Sequence, residues 1–257
     1  LTAACRDPYL ESFKSNFNDA SASDCYAVLS IQGGQSQTIR LHSILLRYRC
    51  PYLAERTDAS SGAVKSPDFS LHGSVCRQLL EYLYTGRFDI RDADTTYLAL
   101  PVAQRWGLES LRIHLDKRLS QEKTKKQQTE IDDTRLLRDD LERLAALVST
   151  PHRDFQNLNE LSLLLSASDV TLQCHDCSFS AHKFRLCEIL YFERAMNGNF
   201  REAASSVIDV SLSIESPEAV ANILQWLYAD TFLNDDLDVA VQVLEASFAL
   251  LCPRLTD

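Results

Sequence analysis

Glycine and proline are both scarce, with seven of each in 257 residues. A β sandwich needs many tight turns, and this supply is too thin for one. Basic residues are also in short supply, since 26 Lys and Arg face 36 Asp and Glu, for a formal net charge of −10. Nucleic-acid affinity comes chiefly from Lys and Arg displacing counterions from phosphates, so direct DNA or RNA binding is not expected. Basic partners or a solvated acidic surface fit better. No apolar run approaches the ~20 residues that span a bilayer, and no membrane association is expected. The opening Leu1-Thr2-Ala3-Ala4-Cys5-Arg6-Asp7 lacks the apolar core of a signal peptide. It also lacks an initiator Met, from which a fragment of a longer protein is expected. Absent too are a nucleophile elbow, a phosphate-binding glycine loop and a His-Glu-x-x-His pattern. With no nucleophile, base and oxyanion site to name, neither an enzyme, a catalytic residue nor a cofactor is expected.

Hydrophobic residues make up 45% of the chain, enough to build a core and to exclude wholesale disorder. The length suits one large domain or two ordinary ones. Eight Cys (5, 25, 50, 76, 174, 177, 187 and 252) are mostly scattered singly through apolar segments. That distribution predicts reduced, buried thiols in the cytosol or nucleus rather than a secreted disulfide framework.

The chain repeats itself, and repeats outrank local patterns as evidence. Ser23-Asp24-Cys25-Tyr26-Ala27-Val28-Leu29 recurs as Ser168-Asp169-Val170-Thr171-Leu172-Gln173-Cys174. Leu41-His42-Ser43 recurs as Ala181-His182-Lys183, and Leu79-Leu80-Glu81-Tyr82-Leu83-Tyr84 as Ile223-Leu224-Gln225-Trp226-Leu227-Tyr228. Cys76, Leu79, Leu80 and Leu83 follow the i, i+3, i+4, i+7 spacing of one buried helix face, and Val220, Ile223, Leu224 and Leu227 repeat it. Ser216 suits the cap of the second of these helices and Pro217 its first turn.

The order of elements is similar in the two copies. Ser168 to Cys174 alternates as a half-buried strand should, and a turn at His175-Asp176 leads into Cys177-Ser178-Phe179-Ser180-Ala181-His182 to make a hairpin. A helix is expected from Phe184 to Asn197, with Gly198 able to cap it. A short strand, Val207-Ile208-Asp209-Val210, follows, and Asp68-Phe69-Ser70-Leu71 is its expected counterpart in the first copy. Between the copies, Gln121 to Glu130 has no apolar residue and reads as a solvated linker. Leu136, Leu137, Leu141, Leu144 and Leu147 then mark an amphipathic helix that serves either as a spacer or as packing between domains.

These landmarks resemble the BTB/POZ family, in their order rather than in any single motif. They are Asp169-Val170, Ala181-His182-Lys183, Tyr191-Phe192 and Leu227-Tyr228-Ala229-Asp230 in the second copy. In the first they are Asp24, Leu41-His42-Ser43, Pro51-Tyr52-Leu53 and Leu83-Tyr84-Thr85-Gly86. The pairing is similar to that of ankyrin-repeat BTB adaptors, the Bruton-kinase inhibitor and Rho-related BTB proteins. The resemblance implies an α/β (α+β) fold in which two BTB/POZ domains, each a small sheet packed with a cluster of helices, are joined by a helical linker. The expected division is 1–120, a charged linker and helix at 121–156, and 157–257, the last lacking its final helix. Asp24, His42, Asp169, His182 and Lys183 become structural positions of the family. Ser43 stands where a basic residue is usual, so the Asp/basic pair open to Asp169 and Lys183 is expected to be lost in the first copy.

For function, the resemblance implies self-association, either between the two copies of one chain or between chains. It also implies recruitment of the cullin-3 ubiquitin-ligase scaffold to an unknown substrate protein. A purely structural oligomerisation module of a transcriptional or cytoskeletal scaffold is the alternative. Phe200-Arg201-Glu202 lies where cullin-binding members resemble a hydrophobic-x-Glu motif, with an ordinary exposed loop as the competing reading. Exposed aromatics tend to be binding anchors. Leu53-Ala54-Glu55 fits the same letters but falls within a helix. Cys174-His175-Asp176-Cys177 with His182 superficially suggests zinc. A structural site needs four ligands, however, and strand alternation turns His182 away from Cys177, Phe179 and Ala181, so no metal is expected.

Overall fold

The computed structural model describes residues 8–19, 23–31, 34–90, 93–121, 129–155, 162, 165, 168–197, 205–233 and 236–255. They divide into two compact units, Leu1–Asp140 and Leu141–Asp257.

In the first unit, helix α1 (Pro8–Ser15) buries Tyr9 and Phe13. Strands β1 (Cys25–Ser30) and β2 (Ser36–Leu41) pair antiparallel from Cys25 opposite Leu41 to Ser30 opposite Ser36. Cys25, Ala27 and Leu29 are buried while Val28 is exposed, the alternation of a sheet with one covered face. Helices α2 (Ser43–Arg49) and α3 (Pro51–Ala54) return the chain so that β3 (Ala63–Val64) lies parallel to β1, giving the order β2-β1-β3. Gly62 makes that return possible, because a Cβ there would lie 2.7 Å from the Asp24 carbonyl oxygen. Helix α4 (Asp68–Leu71) precedes α5 (Gly73–Thr85), whose Cys76, Leu79, Leu80 and Leu83 are all fully buried. Strand β4 (Arg87–Ile90), helices α6 (Ala93–Trp106) and α7 (Glu109–Gln121), and strand β5 (Thr129–Asp132) follow, with β4 and β5 antiparallel. Helix α8 is Thr134–Val148, of which residues 134–140 belong to this unit.

The second unit repeats the three-stranded sheet and the central helix. Strands β6 (Val170–Cys174) and β7 (Cys177–Ala181) form the hairpin, and β8 (Val207–Asp209) lies parallel to β6 in the order β7-β6-β8. The turn residue His175 takes φ 53°, the sign that a two-residue hairpin turn of this kind demands. Helices α9 (Lys183–Leu186), α10 (Leu190–Asn197), α11 (Pro217–Ala229) and α12 (Leu237–Ala249) complete it. Ser216 accepts the Ala219 amide at 3.1 Å, and Pro217 opens α11.

Four expectations are corrected in detail. Asp68–Leu71 is helix α4, and the counterpart of β8 is β3, five residues earlier. Pro67 already has φ −60° and ψ −27°, so the chain enters Asp68 turning rather than extended. The helix expected from Phe184 to Asn197 is broken between α9 and α10. The Glu188 and Ile189 amides bond to the carbonyls three residues back, Arg185 at 3.1 Å and Leu186 at 2.9 Å, and this tightens the turn. Residues 129 and 130, read as solvated linker, belong to β5 against β4, while 122–128 and Gly198 lie outside the described residues. The buried face of α8 is Leu137, Leu141, Leu144, Ala145 and Val148, and Leu136 is exposed.

Candidate interaction surfaces

The family positions named from the sequence come together where each hairpin enters its helix. His42 is buried, its amide donates to the Tyr84 hydroxyl oxygen at 2.9 Å, and its Nδ1 lies 3.0 Å from the same oxygen. His182 is buried against Tyr228 in the same way, at 2.9 Å and 2.8 Å. The tyrosine hydroxyl can accept the amide proton and hand its own proton to Nδ1, which suits a neutral imidazole. Burial lowers the pKa of His42 to about 4, only partly opposed by Asp24 and Asp19. These histidines tie the hairpin end to the central helix.

Asp24 and Asp169 act on the next residue along. Asp169 accepts the Lys183 amide at 2.8 Å, and Asp24 accepts the Ser43 amide at 2.7 Å. The Ser43 hydroxyl also donates to Asp24. A carboxylate at a helix start satisfies an amide that the helix itself cannot. That bond comes from the backbone, so a basic side chain is not required for it. In place of an Asp/basic pair, the Ser43 hydroxyl takes up the second carboxylate oxygen of Asp24.

Two further clusters escape a linear reading. Asp68, 1% exposed, accepts Trp106 Nε1 at 3.0 Å and Ser66 Oγ at 3.0 Å, and also pairs with Arg105. Arg185, equally buried, bonds to the Leu227 carbonyl and pairs with Glu188. Arg185 and Glu188 stand at i, i+3, but no spacing links Asp68 to Trp106 or Arg185 to Leu227. The only sequence signal was the presence of charge in otherwise apolar segments.

Phe200 and Glu202 lie outside the described residues, in the stretch between α10 and β8. Cys174 and Cys177 stand opposite each other in the β6–β7 register, and both are buried. Burial pushes the Cys174 thiol up to about 11, and raises that of Cys177 as well. Among the described residues no group of three or more His, Cys, Asp or Glu is placed to hold a metal ion. No described helix is long and apolar enough to cross a membrane. An open hollow of about 560 Å³ in the first unit is lined by Tyr26, Val28, Arg56, Lys65 and Phe69. Its cations are already engaged, Arg56 over the Tyr52 ring at 3.7 Å and Lys65 with Asp58 at 3.3 Å. It therefore offers few free polar groups to orient a small ligand.

Surface apolarity is concentrated elsewhere. On the second unit Phe232, Leu233, Leu237, Val241, Leu244 and Phe248 are all exposed, along α12 and the segment before it. Large apolar side chains gathered on a surface mark interaction sites far more often than scattered ones do.

Comparison with known families agrees with this character. A family model described as BTB/POZ domain matches residues 13–123 and 158–257, most of the chain and both copies of the repeat. Domains of that family are protein-interaction and oligomerisation modules rather than catalytic ones. No curated protein matches the chain.

Proposed function

Because the chain belongs to the BTB/POZ domain family, we propose that it is an adaptor whose paired domains self-associate and recruit the cullin-3 ubiquitin-ligase scaffold to a substrate protein in the cytosol or nucleus. The observation that carries the cullin half of this reading is the triplet Phe200-Arg201-Glu202, which follows α10 and precedes β8 in sequence. Phe200 would anchor the contact, since burying a Phe side chain contributes ~1.5–3 kcal/mol. Glu202 would orient it through hydrogen bonds. In support of that compartment, the seven described cysteines are free thiols, the state that reducing compartments maintain.

Calorimetric titration of the purified chain with the N-terminal domain of cullin-3 tests the proposal. Phe200→Ala is expected to weaken binding roughly ten- to a hundredfold, at ~1.4 kcal/mol per tenfold. Glu202→Ala costs less if its partner stays hydrated. Affinity unchanged in Phe200→Ala, or no binding by the unaltered chain, would falsify the cullin assignment. Self-association without cullin binding would leave an oligomerisation module.

A further inference from the structure

The outer faces of the two three-stranded sheets differ at matching positions. Ala27 pairs with Val64 and Leu172 with Ile208, so the two registers coincide. On the side away from the core, Tyr26, Val28 and Lys65 therefore answer to Thr171, Gln173 and Asp209. Across each hairpin Arg40 stands opposite Tyr26, and Ser180 opposite Thr171. The first copy thus has a tyrosine, a valine and two cations where the second has Thr, Gln, Ser and a carboxylate. Ser180 is fully buried and its hydroxyl lies 2.8 Å from His152 Nε2, so the second chain segment covers itself there. Arg40 is exposed, and Val28 is 47% exposed.

Tyr26, Val28, Val64, Pro67 and Phe69 give the hollow of about 560 Å³ in the first unit an apolar floor. None of the described residues that line it is acidic, in a chain where acids outnumber bases 36 to 26. Arg56 and Lys65 stand in its wall, and Arg40 lies over the Tyr26 ring at 5.9 Å. The wall cations are held in place without being used up. Arg56 stacks on Tyr52 and gives one N–H to the Tyr52 carbonyl at 2.9 Å, and a guanidinium has further donors to offer. Glu55 comes no nearer to it than 4.0 Å and is 77% exposed. Lys65, 72% exposed, meets Asp58 at 3.3 Å, and that carboxylate also accepts bonds from Ser60 and Ser61. A small molecule needs several polar groups converging on it, whereas a peptide can rest an apolar side chain on the floor and set its charges against the rim.

We infer that this hollow is the docking site for an extended acidic segment of a partner protein, with one large apolar side chain seated on Tyr26 and Val28 and Asp or Glu on either side of it. The floor supplies the affinity, and Arg40, Arg56 and Lys65 supply the orientation and the salt dependence. Asp209, in the place of Lys65, repels the same segment from the second copy, so each chain takes one. The inference concerns the first unit alone and stands whether or not Phe200 contacts cullin-3.

The probes are fluorescein-labelled Glu-Asp-Glu-X-Glu-Asp-Glu peptides with Phe, Leu, Tyr or Trp at X, titrated into the intact 257-residue protein and followed by anisotropy. Saturable binding of at least one of them is expected, at one site per chain and weakening as salt is raised. The double variant Val28→Gln/Lys65→Asp gives the first sheet the residues of the second. It should weaken binding by about tenfold or more, while the melting temperature stays near that of the unaltered protein. The peptide with Ser at X should not bind. Absence of saturable binding by all four peptides overturns the inference, as does undiminished binding by the double variant or equal binding of the serine peptide. Displacement of the peptide by an equal concentration of oligothymidylate would assign the hollow to nucleic acid. A halving of particle mass in the double variant would assign it to a second copy of the chain, and either result overturns the inference.

Discussion

Tyr228 holds His182 at two points, its hydroxyl oxygen 2.9 Å from the backbone amide and 2.8 Å from the ring Nδ1. The same two bonds join Tyr84 to His42, at 2.9 Å and 3.0 Å. The two tyrosines are fully buried, and each fastens the end of a hairpin to the helix that crosses beneath it.

Removing either hydroxyl leaves a buried amide without its acceptor, a loss of about 1–3 kcal/mol. Tyr228→Phe and Tyr84→Phe should therefore each lower the urea midpoint of their own unit by a similar amount. An unchanged midpoint in both would show that these bonds contribute nothing net.

His42 makes stability depend on pH. Its folded pKa is about 4 against an ordinary 6.5, so between those values the unfolded chain binds the proton and the folded one does not. Stability is then flat above pH 6.5, falls as pH drops from 6.5 towards 4, and loses nothing further from this group below that. At ~1.4 kcal/mol per pH unit the ceiling is roughly 3 kcal/mol. Melting temperatures recorded across that window should fall less steeply in His42→Gln than in the unaltered protein. Parallel curves would remove His42 from the explanation.

Thiol reactivity should follow burial. Cys25, Cys50, Cys76, Cys174, Cys177 and Cys252 are buried, and Cys187 is half-buried. Burial pushes Cys50 and Cys76 up to about 12, so thiolate is scarce at neutral pH. With Ellman's reagent the native protein should release colour from Cys187 first among these, and from the other six only on unfolding. Rapid reaction of all of them in the folded state would contradict the packing.

Leu53→Ala separates stability from binding. Leu53 is fully buried in α3, and the change should cost about 2–5 kcal/mol by opening a cavity. Phe200→Ala, by contrast, should leave thermal melts near those of the unaltered chain while it weakens the scaffold contact. A Phe200→Ala protein as unstable as Leu53→Ala would place that ring in a core.

The elements that could be read from sequence are those whose information is local. The 76, 79, 80, 83 spacing of α5, its echo in α11, the Ser216-Pro217 start and the His175-Asp176 turn each express one backbone period or one cap. Strand β3 has two residues and no period to read. Strand β5 is polar except for Ile131, and it is a strand only because β4 is there to pair with it. Asp68 and Trp106 are 38 residues apart, and no pattern within a window links them. Arg49 and Arg185 bond to the carbonyls of Leu83 and Leu227, the same position of the repeat, from places that do not correspond in the two copies. The need for a cation at that helix end is general, but which residue reaches it is settled only in three dimensions. For the interaction surface, the α12 stripe was present in the sequence as an amphipathic pattern. Which face would be left bare could not be read there.

Gly86 ends α5 with φ 66°, and a Cβ on it would come within 2.9 Å of the backbone of Asp133 and Thr134, where the chain leaves β5. The same turn after α11 is made by Asp230, also left-handed at φ 57°, but carrying a side chain. A chain following the path of Asp133 and Thr134 therefore fits beside the first central helix as it stands and would have to shift beside the second. The halves of this duplication are not interchangeable parts. Gly86→Asp should therefore push the chain aside where it leaves β5.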